Sequence, residues 1–205
     1  MELIFSDFSS IEGSCCYCSE EAGNEIRTLI SPLPLKAVHY IGTGDFHYQT
    51  LFWLERLREP FSLLLIDNHP DDQPGAFGDA LLSCGSWVRE ARKLPMLQNF
   101  SWLRRTSDYS ASGLSDAFPL YISVDLDVLS PEFARTDWDQ GDMSLTELNG
   151  ILSDVAARFS RGDEGKGIMG VDICGGISEE KGGREADMEL NRATLLDLAG
   201  IFRNC

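Results

Sequence analysis

Apolar residues along the chain come in short runs separated by segments of helical spacing. Positions 2–5, 37–41, 62–66, 120–124 and 168–173 read as strands. Several are apolar at consecutive positions, which predicts cover on both faces. The intervening segments at about 20–29, 47–57, 87–94, 144–159 and 190–202 carry the spacing of amphipathic helices. Strands alternating with helices predict an α/β fold, a three-layer α/β/α sandwich around a mostly parallel sheet. The helix at 144–159 is the best marked. Ser144 and Glu147 make a capping box, and Leu145, Leu148, Ile151, Leu152, Val155 and Phe159 form one stripe. Irregular stretches at 70–85 and 131–142 each lie just beyond a strand, at the sheet edge where open α/β folds carry their sites. The acidic run 179–189 reads as a solvated, flexible segment.

Composition narrows the functional classes. A length of 205 residues with 43% apolar content predicts one domain spanning 1–205. The formal net charge of -16 repels phosphate backbones and anionic membranes, so neither nucleic acid nor membrane is an expected partner. Cations, metal ions and positively charged substrates are favoured instead. No basic region precedes the first apolar run, and the longest purely aliphatic stretch is strand-sized, far below the roughly 20 residues of a spanning helix. These features predict a cytoplasmic protein. The scattered cysteines fit reduced thiols; Cys15, Cys16 and Cys18 could be half of a metal knuckle, but no second CxxC completes it.

The candidate chemistry sits at the strand ends. Strand 62–66 runs into Asp67, His69 and Asp71, at alternate positions that point one way if the chain stays extended. Strand 120–124 runs into Asp125 and Asp127 with the same period, and strand 37–41 leads through Gly42, Gly44 and Asp45 to His47. A lone aspartate after a strand is ordinarily a cap or loop residue. Four carboxylates gathered at one edge would instead repel and desolvate one another unless divalent metal neutralised them. Six donors suit two ions better than one. Oxygen-rich ligation with one imidazole per ion suits Mn(II) or a similar borderline ion, with Zn or Fe as substitutes.

These segments resemble the arginase and agmatinase (ureohydrolase) family, with a Gly-Asp-His segment, a DxHxD and an SxDxDxxxP. Here they stand as Gly44-Asp45-Phe46-His47, as Asp67 to Asp71, and as Ser123 to Pro131, and the likeness runs on through Asp172. The resemblance implies that His47, Asp67, His69, Asp71, Asp125 and Asp127 are the ligands of two Mn(II) ions. It implies hydrolysis of a guanidinium or amidine C–N bond by a metal-bridging hydroxide, with Asp71 as the catalytic carboxylate that holds it. The substrate class is a cationic guanidino compound or the arginine side chain of a peptide, and assembly as a homo-oligomer is in keeping with the family. Three departures stand out. Phe46 separates Asp45 from His47; the segment 82–86 has no histidine where relatives place a proton shuttle; and Gly175 falls where relatives place the carboxylate that grips the guanidinium. Glu179, Glu180, Glu185 or Glu189 are candidate replacements for that carboxylate. The remaining histidine, His39, reads as a packed core residue. The chain is also shorter than that family's usual members, which predicts fewer wall-forming loops and room for a larger substrate. Two rival readings remain: a zinc deacetylase-like amidohydrolase, although the tandem histidines of that class are missing, and a catalytically inactive metal-binding relative. The GxG at Gly42–Gly44 as a phosphate cradle is the least favoured reading.

Overall fold

The computed structural model describes residues 1–75, 81–111, 113–160 and 167–205. In chain order its strands are β1 (Leu3–Phe5), β2 (Tyr17–Cys18), β3 (Val38–Tyr40), β4 (Phe61–Ile66), β5 (Leu82–Ser83), β6 (Leu97–Leu103), β7 (Leu120–Asp125) and β8 (Ile168–Cys174). The helices are α1 (Glu20–Ile30), α2 (Gln49–Leu54), α3 (Trp87–Ala91), α4 (Leu145–Ser160) and α5 (Glu185–Ile201). Six strands make one sheet in the order β1-β3-β8-β7-β4-β6, with every pairing parallel. β2 and β5 pair antiparallel as a separate ribbon.

Alternation along buried strands divides the core into two layers. Phe61, Leu63 and Leu65 of β4 pack with Ile26 and Ile30 of α1, Phe52 and Trp53 of α2 and Trp87 of α3. Leu64 and Ile66 point the other way, joining Ile122 and Val124 of β7, Leu148, Leu152 and Val155 of α4 and Leu195 and Leu198 of α5. A three-layer α/β/α sandwich results, as the spacing predicts. The cap of α4 is the expected box: Glu147 N donates to Ser144 Oγ at 3.2 Å, and Ser144 N donates to Glu147 Oε2 at 2.9 Å.

The departures have local causes. β6 is not evident from periodicity because Gln98, Asn99 and Ser101 interrupt it; it forms at the sheet edge by pairing along the whole of β4. The expected helix 47–57 is shortened to α2, Gln49–Leu54, and a 3₁₀ turn at Gly44–Phe46 precedes it. The acidic run is largely structured, as a 3₁₀ turn at Glu179–Lys181 and the first turns of α5, where Glu185 and Asp187 suit the positive end of the helix. His39 is the packed residue expected, stacked on Trp53 with centroids 3.7 Å apart and Nε2 2.8 Å from Pro34 O; burial lowers its pKa to about 4. Among the described residues, no helix is long and apolar enough to cross a membrane.

Candidate metal centre

Parallel pairing places the carboxyl ends of β3, β8, β7 and β4 side by side, and each delivers polar groups to the same spot. The chain beyond β3 turns through Gly42, at φ 99°, into the 3₁₀ turn that His47 caps. The inserted Phe46 is absorbed by that turn, and His47 ends up 2% exposed and facing the acids. β4 runs straight into Asp67, whose Oδ1 accepts from His69 N at 2.5 Å. β7 ends in Asp125, whose Oδ1 accepts from Asp127 N at 2.8 Å and shapes the turn Leu126–Val128.

All six residues singled out from the sequence meet here, in two groups. His47 Nδ1 lies 3.2 Å from Asp67 Oδ2, 3.0 Å from Asp71 Oδ2 and 3.5 Å from Asp125 Oδ2. His69 Nδ1 lies 2.8 Å from Asp127 Oδ2 and 3.6 Å from Asp67 Oδ1. Asp67 therefore divides its two oxygens between the imidazoles. One donor atom each from His47, Asp67 and Asp71 lie within 4.8 Å of one another, as do those of Asp67, His69 and Asp127 and those of His47, Asp125 and Cys174, the spacing of ligands around an ion. Asp71 reaches its place in a left-handed conformation, φ 48°, which a non-glycine residue adopts at a cost of about 1–3 kcal/mol. Trp87 Nε1 holds its Oδ2 at 2.7 Å, and Val88 N its carbonyl at 3.0 Å.

The electrostatics test whether these residues fit a cation. Burial raises the Asp71 carboxyl, and burial together with neighbouring carboxylates raises those of Asp125 and Asp127. His69 is lifted to about 10, chiefly by its bond to Asp127. Burial opposes a charge on His47, but Cys174, Asp67 and Asp71 outweigh it and raise its pKa. Every shift favours added positive charge, here carried by protons. A divalent cation would replace them, and four carboxylates with two imidazoles are a donor set for Mn(II)-class ions.

Behind the donors lies a support that the motifs did not reveal. His47 Nε2 is 2.9 Å from Ser123 Oγ; Ser123 donates to Asp172 Oδ1 at 2.5 Å, and Thr50 Oγ1 donates to the same atom at 3.1 Å. Such a chain fixes the ring orientation of a ligating histidine. Ser123 and Asp172 are register partners on β7 and β8. A polar residue in each of two otherwise apolar strands was the available signal. Cys174, also outside the expected set, places Sγ 3.0 Å from Asp125 Oδ2.

Other expectations are corrected. Glu179, Glu180, Glu185 and Glu189 are all exposed, and the loop brings Lys181 to the site instead. Lys181 Nζ is 3.0 Å from Asp45 Oδ2 and 2.9 Å from Asp137 Oδ2. The expected irregular stretch 70–85 contains β5, while residues 76–80 lie outside those described. Trp138, 41% exposed, overhangs the acids, with Nε1 3.3 Å from Asp45 Oδ1 and its ring 6.3 Å from that of His69.

Comparison with solved structures decides the architecture. Proclavaminate amidino hydrolase from Streptomyces clavuligerus superposes with a TM-score of 0.62 at 14% identity, over 89% of this chain and 68% of that one. Trypanosoma cruzi formiminoglutamase with Mn2+ gives a TM-score of 0.61 at 14% identity, over 89% and 72%. Entamoeba histolytica arginase in complex with L-ornithine gives 0.59 at 13%, over 90% and 76%. The chain has the arginase fold. By sequence, it belongs to the family of an uncharacterized Thermotoga maritima protein, 32% identical over 187 residues that cover 85% of this chain and 70% of that one. No family model matches. Within the arginase fold, the sequence departure at Gly175 is imposed by space: at φ 99°, a Cβ there would stand 2.5 Å from Asp125 Oδ1 and 2.7 Å from Leu126 N.

Proposed function

We propose that this chain is a binuclear metal-dependent hydrolase of C–N bonds in guanidino or amidino compounds. The observation that carries the reading is the division of Asp67 between two imidazole–carboxylate groups, the arrangement of a carboxylate shared by two ions. His47, Asp67, Asp71 and Asp125 would hold one Mn(II), and Asp67, His69 and Asp127 the other. Bound ions would supply Lewis acidity. The protein's own contribution is position and proton traffic. Trp87 and His47 both engage Asp71 at Oδ2, which fixes that carboxylate beside the centre, where it would take a proton from attacking water. The Asp172–Ser123–His47 chain keeps the His47 ring from rotating. Trp138 narrows the mouth, which excludes water around a bound substrate.

The substrate proposed is a cationic small molecule or peptide side chain, in keeping with the charge of -16. The test is metal content by mass spectrometry after reconstitution with Mn(II), followed by release of urea from arginine, agmatine and arginine-containing peptides and of formamide from formimidoylglutamate. Two ions per chain with turnover on this panel would support the reading. Two ions without turnover would favour the inactive relative, a reading that the blocked Gly175 position itself encourages. A single zinc would overturn the binuclear assignment.

A further inference from the structure

A second set of donors converges beside the acid centre and shares none of its six residues. Cys15 and Cys16 precede β2, and the turn carrying them, with Cys16 at φ 58°, sends both thiols toward Asp45. Cys16 Sγ lies 2.9 Å from Asp45 Oδ1, and Cys15 Sγ lies 3.7 Å from Asp45 Oδ2. One donor atom from each residue lies within 4.8 Å of the other two. Cys84 faces Cys16 across the ribbon, its N donating to Cys16 O at 3.0 Å.

We propose that Cys15, Cys16 and Asp45 form a separate metal site, of the zinc class, at the mouth of the acid centre. Two thiolates and one carboxylate select a borderline or soft ion, whereas the all-oxygen and imidazole set below selects Mn(II)-class ions, so donor chemistry assigns different metals to the two places. Asp45 already carries a cation, the Lys181 ammonium at 3.0 Å. An incoming ion displaces that contact at little cost, because Lys181 keeps Asp137 at 2.9 Å. Ligation releases the two thiol protons to solvent. The exposure of Cys15 gives the ion a path in, and a water completes its coordination. The proposal is independent of the hydrolase reading, since none of its ligands takes part in that chemistry.

Cobalt(II) serves as the spectroscopic probe. Wild-type protein titrated with cobalt should develop sulfur-to-cobalt charge-transfer absorption in the near ultraviolet. The Asp127→Asn variant, weakened only in the acid centre, should keep it; Cys15→Ser/Cys16→Ser should lose it with an unchanged circular dichroism spectrum. Absence of the band from cobalt-saturated wild-type protein overturns the site. So does its persistence in the serine variant, which would assign the thiolate to another cysteine, Cys84 across the ribbon or Cys174 beside Asp125. Should the serine variant not fold, thiol titration of the wild type decides: zinc should shield two cysteines from a disulfide reagent, and an unchanged thiol count refutes the proposal.

Discussion

Replacing Gly175 by alanine tests the steric basis of the departure from the arginase pattern. Two costs combine. At φ 99°, an L-residue is strained by about 1–3 kcal/mol, and the new methyl meets Asp125 Oδ1 at 2.5 Å and Leu126 N at 2.7 Å. Neither neighbour is a flexible chain end. Asp125 is fixed by its bond to Asp127 N, and Leu126 offers backbone, so the collision adds an overpacking cost of about 1–3 kcal/mol. Gly182 is an internal control, because it has a similar φ of 89° but nothing within 4 Å of an added methyl. Changes in the entropy of the unfolded chain are common to both variants and cancel. Urea unfolding should therefore find Gly175→Ala less stable than Gly182→Ala by about 1–3 kcal/mol. Mn(II) affinity should fall in the first variant and not in the second. Equal destabilisation of the two variants would refute the reasoning and reopen position 175 to a substrate-gripping carboxylate.

The support behind His47 predicts that Ser123→Ala weakens Mn(II) binding by roughly 10–100-fold with little change in the fold, measurable by calorimetry. Burial holds His39 neutral with a pKa near 4 against an ordinary 6.5, so its contribution to stability is complete above pH 6.5 and is lost as pH falls through about 4. His39→Phe should remove about 3 kcal/mol of the stability that wild type loses over that window, a difference read from denaturant curves at several pH values. Leu152, fully buried between α4 and the sheet, should cost about 2–5 kcal/mol when truncated to alanine, with the metal content unaltered.

Local chemistry made much of this molecule legible. Buried strands advertise themselves by unbroken apolar runs, and Asp67, His69, Asp71, Asp125 and Asp127 stand directly after two of them, so their convergence follows once the sheet is parallel. The capped helix at Ser144 is equally local. The edge strand β6 was not legible, because its polar positions are tolerable only where one side of the strand lacks a partner. Helix α5 begins inside the acidic run because helix ends welcome negative charge, a preference that composition alone cannot tell from a solvated loop.

The sequence by itself determined the layered fold and which side chains gather at the sheet edge. Periodicity and strand ends are properties of neighbouring residues. Only the tertiary structure decided how Asp67 divides between two imidazoles, that Asp172 reaches His47 through Ser123, that Lys181 and not a glutamate meets Asp45, and that Cys15 and Cys16 face Asp45. The last two of these join residues 29 to 136 positions apart. Register between strands and the path of each loop set such distances, and both depend on packing across the whole chain.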